Sequence, residues 1–262
     1  MQKQFGIVLM IDALGVSDYS IEDCEKFLGT QKELKGFLNW LKNTYGKNSD
    51  HYKNSHLSVF GDTIIFCCPI DVKNEIPRRP IVDIITDAGR TVAWGIEHGV
   101  LFRGCITVGE YICEENTVLG PAIFDANNWY ESADWFGVII SPKSQLWFDA
   151  IFENDKNKTD DKVMNRFLEN FLVHYDVPLS HPKGQQTTEK LWSVGWPSTV
   201  YARCIEENAL PRAYIRNQLF KIFQSKKGES KFKNGLDFFD WHYERHYESY
   251  MKITQIKPRT SK

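Results

Sequence analysis

Near its start the chain carries an almost unbroken apolar run, Phe5 to Ile11 (FGIVLMI), that stops at Asp12. A run without polar alternation suits a central strand covered on both faces, so Asp12 is predicted to stand at that strand's exit. From Ser20 to about Tyr45, Ile21, Phe27, Leu28, Leu34, Leu38 and Leu41 recur at helical spacing. Ser20, followed three residues on by Asp23, supplies the N-cap of this first helix. Two β-like runs follow between Ser55 and Pro69, HLSVF and TIIFCC, and the Gly61-Asp62 pair between them reads as a two-residue hairpin turn. The hairpin tip therefore carries an acid. A polar, Pro-rich linker from Asp71 to Pro80 leads into a second helical pattern, Ile81 to His98, which Gly99 ends as a C-cap. Val100 to Tyr111 (VLFRGCITVGEY) reads as a strand and Glu114 to Asn116 as a polar hairpin region. Pro121 to Ala133 then reads as a helix and Gly137 to Ile140 (GVII) as another strand.

The order through Ser141 is β, α, β, β, α, β, α, β, which predicts an α+β sandwich of the ferredoxin-like βαββαβ kind. Asn154 to Lys162 (NDKNKTDDK) is a charged linker that ends the core. Residues 1–153 are expected to form the core domain. Residues 163–262 are expected to form a helical, aromatic-rich C-terminal extension, with helices at about Val163 to Tyr175 and Pro211 to Gln224, that packs on the core or on a dimer interface. The chain shows neither repeats nor low-complexity tracts.

Composition narrows the class of protein. The 262 residues hold 32 Lys and Arg against 34 Asp and Glu, for a net charge of −2, and 42% are hydrophobic. A chain of this length buries roughly 70–75% of its unfolded surface, enough for one large core with an appended layer, and disorder as the main state is excluded. The near-neutral balance argues against a dedicated nucleic-acid binder, because phosphate affinity comes mainly from a surplus of Lys and Arg. The longest apolar stretches fall far short of the ~20 residues that cross a bilayer, so no membrane span or signal peptide is expected. The six cysteines form neither a CxxC pair nor a disulfide framework and read as reduced thiols in cytoplasm. Cys67 and Cys68, adjacent in an apolar run, read as packing residues. Aromatic residues make up 14% of the chain and concentrate in the last third, in Trp192, Trp196 and Tyr201 and from Phe238 to Tyr250.

Chemistry converges on two acids. Asp12 and Asp62 lie 50 residues apart, yet in a βαββ unit the first strand and the hairpin are neighbours in one sheet, where two carboxylates can face each other. Two hard oxygen ligands on rigid strands suit a pair of Mg2+ or Mn2+ ions bridging a triphosphate. Ala13, Leu14, Gly15, Val16 and Ser17 follow as a small-residue turn whose backbone N–H groups can bind phosphate oxygens. Taken singly, Asp12 is as readily a strand end and Asp62 a turn residue. D-x-x-G-x-S after an apolar strand, together with F-G-D at a hairpin tip, points to function.

Other clusters carry less. His242 and His246 stand four apart with Glu244 between them, but without a third ligand they read as a solvated or interfacial helix face. Lys226-Lys227 and Lys231-Lys233 read as a solvated loop. Tyr52, just upstream of the hairpin, reads as a packing residue or as a group that stacks on or bonds a pyrimidine. There is no Ser-His-Asp order, P-loop or G-x-G-x-x-G, and the lack of a second Asp two residues after Asp12 argues against a haloacid-type phosphatase.

At this point the chain resembles the class III nucleotide cyclases. Four short motifs occur in the family's order: IDALGVS around Asp12, SVFGDTIIF around Asp62, FRGCITVG from Phe102 to Gly109, and LGPAIFDANNWYE followed by VIIS. The resemblance covers about residues 5–150 and implies Asp12 and Asp62 as metal ligands. The family's purine-reading Lys or Glu position falls on Ser58, its partner position on Thr117, and its transition-state Asn and Arg positions on Phe124 and Asn128. The usual arginine is thus missing, and either Arg103 supplies the charge or the domain is an inactive nucleotide-binding module.

A compact cyclase-like chain without a purine-selecting Lys or Glu is most similar to the pyrimidine cyclases of bacterial Pycsar anti-phage systems. That resemblance implies a cytoplasmic homodimer with composite active sites that converts UTP to 3′,5′-cyclic UMP, with CTP as the alternative substrate, for a separate effector protein. It implies Asp12, Asp62 and Arg103 as catalytic residues. Ala13, Leu14, Gly15, Ser58, Thr117, Asn128 and Tyr52 are the corresponding substrate-binding candidates.

Overall fold

A computed structural model describes residues 2–46, 53–71, 78–114, 117–155, 168–180, 186–222 and 229–254. In chain order its elements are β1 (Gln2–Ala13), α1 (Ile21–Gly46), β2 (His56–Phe60), β3 (Thr63–Pro69), α2 (Arg78–Glu97), β4 (Phe102–Glu114), β5 (Thr117–Leu119), α3 (Pro121–Ser132), β6 (Gly137–Ile140) and α4 (Pro142–Asp155). Then follow β7 (Leu172–Ser180), β8 (Gln186–Val194), α5 (Pro197–Glu207), α6 (Pro211–Ile222) and α7 (Glu229–Thr254).

The strands form one sheet in the order β2-β3-β1-β4-β6-β8-β7, with β5 paired to β4. β1 lies inside it, antiparallel to β3 and β4, and its apolar run is covered on both faces: Ile7 and Val8 are fully buried and Leu9 to Ile11 nearly so. Cys67 and Cys68 are likewise buried in β3, as packing residues should be. The α+β order expected through Ser141 is observed, with β5 closing the polar hairpin after β4. Ser20 and Asp23 close the predicted cap reciprocally: the Asp23 N–H donates to Ser20 Oγ at 3.2 Å, and the Ser20 N–H to Asp23 Oδ2 at 3.1 Å.

The region after the core differs from the sequence expectation. A helix is expected over Val163 to Tyr175; 163–167 lie outside the described residues and 168–171 are helical, but Leu172 opens the strand β7, which pairs with β8 along its whole length. Val173, Val177 and Leu179 are buried while His174, Asp176 and Ser180 are exposed, a period of two that overrides the helical reading. Pro178 fits there because β7 is the sheet's edge strand. β8 meets β6 antiparallel at Ile139↔Ser193, so residues assigned to the extension continue the core sheet.

The aromatic surplus is largely core packing. α7 buries Phe238 and Phe239, with Phe238 at 4.8 Å from Trp135 and Phe239 at 5.8 Å from Trp196 between ring centroids. Gly235 passes directly over Phe136, where a Cβ would come within 2.3 Å of the ring. His242 is fully buried. Its Nε2–H donates to the Asn170 carbonyl at 2.9 Å, which leaves Nδ1 to accept from the Tyr201 hydroxyl at 3.1 Å. His242 thus belongs to the core packing of α7 rather than to a solvated face, and no metal-holding cluster of three His, Cys, Asp or Glu side chains occurs among the described residues. Lys231 and Lys233 do not lie in a solvated loop; they sit on the first turns of α7, and Lys231 pairs with buried Asp134 at 3.2 Å. Lys226 and Lys227 lie outside the described residues. Among the described residues no helix is long and apolar enough to cross a membrane.

Candidate active site

The register of the sheet brings the two acids together. Asp12 stands opposite Thr63 on β3 and opposite Arg103 on β4, and the Ala13 N–H donates to the Asp62 carbonyl at 3.2 Å. Gly61 turns the hairpin at φ 54°, a left-handed conformation glycine adopts freely, and the Gln31 side chain donates to its carbonyl, so α1 braces the tip. Next to Arg103, a Cβ on Gly104 would come within 2.6 Å of the Met10 carbonyl, so glycine there lets β4 press against β1 beside the acids.

Asp12 is largely buried and both of its oxygens are engaged. Thr63 Oγ1 donates to Oδ1 at 3.0 Å, while Arg103 Nη2 and Nε donate to Oδ2 at 3.2 and 3.3 Å. Burial, and next the negative charge of Asp62, push the Asp12 carboxyl above its ordinary range; Arg103 and Thr63 oppose this. The resultant still disfavours the anion, so the pair of acids favours an added cation. Arg103 also lies 5.1 Å over the Tyr130 ring and reaches the Glu131 carbonyl at 3.4 Å.

The turn after β1 departs from expectation in one respect. Ala13 and Leu14 have their N–H groups committed within the protein, to the Asp62 carbonyl and, at 2.8 Å, to the Leu101 carbonyl, so their amides do not face a phosphate. Gly15, at φ 84°, caps the single 3₁₀ turn Val16–Asp18, and free amides belong to the start of that turn.

The remaining candidates are dispersed. Ser58 is buried on β2, with its hydroxyl 2.7 Å from His56 Nε2. Thr117 is exposed on β5 and pairs with Glu114, at the far end of β4 from Arg103. The 114 − 103 = 11 residues between those β4 positions span roughly 35 Å at a strand's rise, well beyond one nucleotide. Phe124 is 60% exposed on the first turn of α3. Asn128 is exposed on the same helix, and two residues before Tyr130 it lies about 200° around the helix from the ring that meets Arg103. Tyr52 lies outside the described residues. Asp12, Asp62 and Arg103 thus form one group beside Gly15, while Thr117 and Asn128 face elsewhere in the same chain.

Sequence reading missed Thr63 and Tyr130 as partners of this group. Thr63 directly follows Asp62 and could have been found from the hairpin register, whereas Tyr130 reaches Arg103 only through the docking of α3 on β1 and β4.

The acids' chemistry fits a hard divalent ion. Two carboxylates at adjoining strand ends make a fitting partial ligand set for Mg2+ or Mn2+, which take their other oxygens from phosphates and water. Arg103 must yield Asp12 Oδ2 for that oxygen to serve as a ligand.

No family model and no curated protein matches the chain. Several solved structures are similar. One is the catalytic core of a rhodopsin-guanylyl cyclase with converted specificity in complex with ATPαS. It is 12% identical, with coverage of 74% of this chain and 97% of that one and a TM-score of 0.45. A dimeric guanylyl cyclase domain of the RhoGC fusion protein from the aquatic fungus Blastocladiella emersonii is 13% identical, covering 74% and 96%, with a TM-score of 0.44. An adenylate/guanylate cyclase/hydrolase from Silicibacter pomeroyi is 12% identical, covering 74% and 98%, with a TM-score of 0.41.

Proposed function

We propose that this protein is a nucleotide cyclase that converts UTP to 3′,5′-cyclic UMP and pyrophosphate, a second messenger for a separate effector in anti-phage defence. The observation that carries the cyclase reading is the convergence of Asp12 and Asp62 at adjoining strand ends next to the Gly15 turn. Ser58 supports the pyrimidine reading: buried and engaged with His56, it offers no charge to a purine edge.

The ribose 3′-oxygen attacks the α-phosphorus in line. The new O3′–P bond forms as the bond to the bridging oxygen breaks; pyrophosphate leaves with the electron pair, and the hydroxyl proton passes to water. Asp12 and Asp62 are the residues that would hold two Mg2+ or Mn2+ ions, whose charge would lower the pKa of the ribose hydroxyl and neutralise the phosphates. Arg103, beside Asp12, is the cation that would take the place of the arginine absent at Asn128 once it leaves Asp12 Oδ2. Ser58 lies on the hairpin strand β2, whereas Thr117 lies roughly a strand length away from Asp12. A nucleotide that meets both Asp12 and Thr117 therefore requires two copies of the chain, which is the basis for a homodimer with composite sites.

Incubation of the pure protein with Mn2+ and each of the four ribonucleoside triphosphates, followed by product identification by mass, tests this reading. Cyclic UMP is expected, and Asp62→Ala is expected to lose at least ~10³-fold in turnover with its fold intact. A cyclic CMP product reassigns the base, an adenosine product alone overturns the pyrimidine claim, and wild-type turnover in Asp62→Ala overturns the metal assignment. Nucleotide-dependent thermal stabilisation without any product marks an inactive binding module.

A further inference from the structure

A cavity of about 830 Å3 lies against the Gly15 turn, walled by the start of α1, the end of α2, α6 and the first turns of α7. Its volume falls in the range of small-molecule sites. Arg103 lines it while also holding Asp12, so one side chain connects the cavity to the acid pair. Three more cations line it: Lys26 from α1, Lys221 from α6 and Lys231 from α7.

Three acids share this wall. Asp23 accepts from Ser20 in the cap, which with the nearby Lys26 holds its carboxyl below the ordinary range and so keeps it charged. Glu97 accepts from the Tyr214 hydroxyl at 3.0 Å and lies 3.6 Å from Arg203. Asp18 lines the cavity from the 3₁₀ turn. Of the lysines, Lys231 is partly neutralised by Asp134, whereas Lys221 has a neutral neighbour, Gln218 Oε1 at 3.3 Å. Four cations, Arg103, Lys26, Lys221 and Lys231, therefore face three acids in the lining, and of the four Lys221, on the C-terminal extension, has a neutral nearest partner.

We propose that this cavity binds the polyphosphate end of the substrate, and that the extension supplies cations in cis through Lys221 and Lys231, joined by Lys26. This deepens the cyclase reading and rests on it for the identity of the substrate, but the anion site itself can be measured without turnover. Lys221 is the informative position, because its exposed side chain has no ion-pair partner among the described residues whose loss would confound the result.

Inorganic tripolyphosphate, titrated calorimetrically into the full chain, is the probe. Wild type is expected to bind it, and Lys221→Ala to weaken binding about fivefold to tenfold, as the loss of one charge-assisted contact would. Lys221→Glu should weaken it further and Lys221→Arg should restore it, at unchanged melting temperature. With nucleotide, the same variants should raise KM more than they lower kcat. The proposal is overturned if wild type fails to bind tripolyphosphate or if Lys221→Glu binds it as tightly as wild type. Lys221-dependent tripolyphosphate binding in a protein that turns over no nucleotide supports the cavity assignment while ending the cyclase reading. Cyclic product from a Lys221→Glu variant with wild-type KM does the reverse.

Discussion

His242 is expected to make the protein acid-labile, and the size of the effect follows from its surroundings. Its imidazole is fully buried between Tyr201 and the Asn170 carbonyl, and burial, reinforced by His246, lowers its pKa from 6.5 to about 3. The folded state therefore keeps this ring neutral over a range in which the unfolded chain protonates it. Stability is unaffected above pH 6.5, falls as pH drops through 6.5, and continues to fall toward about 3. Linkage converts the gap to about 1.4 kcal/mol per pH unit once the unfolded histidine is charged, or about 2 kcal/mol between pH 7 and pH 5.

Urea unfolding followed by tryptophan fluorescence at pH 5, 6, 7 and 8 measures this directly. His242→Gln is the matched control, because an amide can still donate to Asn170 and accept from Tyr201 but does not titrate. His246 and His174 are also held below the ordinary histidine range by burial, so the quantity to compare is the difference in pH slope between wild type and variant. A variant with the wild-type slope, or a wild type as stable at pH 5 as at pH 7, refutes the reasoning.

Two further expectations concern the seam between core and extension. Gly235→Ala drives a methyl group into Phe136 and should cost about 1–3 kcal/mol in urea unfolding, because overpacking forces the ring or α7 to move. Asp134→Ala should destabilise by a similar ~1–3 kcal/mol, because the buried carboxylate accepts from Ser230, Asn234 and Gln186 and pairs with Lys231. Hydrogen exchange should then show lost protection at the start of α7 before the centre of the sheet.

Much of the core was legible because its cues are local. The run ending at Asp12, the Ser20-Asp23 cap and the Gly61-Asp62 turn each specify structure within a few residues, and each is found in the fold. β7 was legible in the alternation of Val173, Tyr175, Val177 and Leu179, a period of two that a helical reading of the segment passes over. The acid pair was visible as a juxtaposition, since strand and hairpin must be neighbours. That Arg103 would sit on Asp12 depends on a cross-strand register between residues 91 apart. The lysines of the cavity are further still from any local pattern: Lys221 and Lys231 reach it only because the extension's helices fold back toward the turn after β1.

The pairing through which β8 meets β6, one ladder pair among the described residues, also sets a timetable for synthesis. Ile139 pairs with Ser193, 193 − 139 = 54 residues later, and Gly137 to Ile140 are buried in the finished protein. At about 5–20 residues per second, a ribosome leaves that apolar edge uncovered for roughly 3–11 seconds. During that interval the nascent chain exposes a strand edge able to pair with another chain. A release at Lys162 makes the exposure permanent, so the truncated chain is expected in the insoluble fraction.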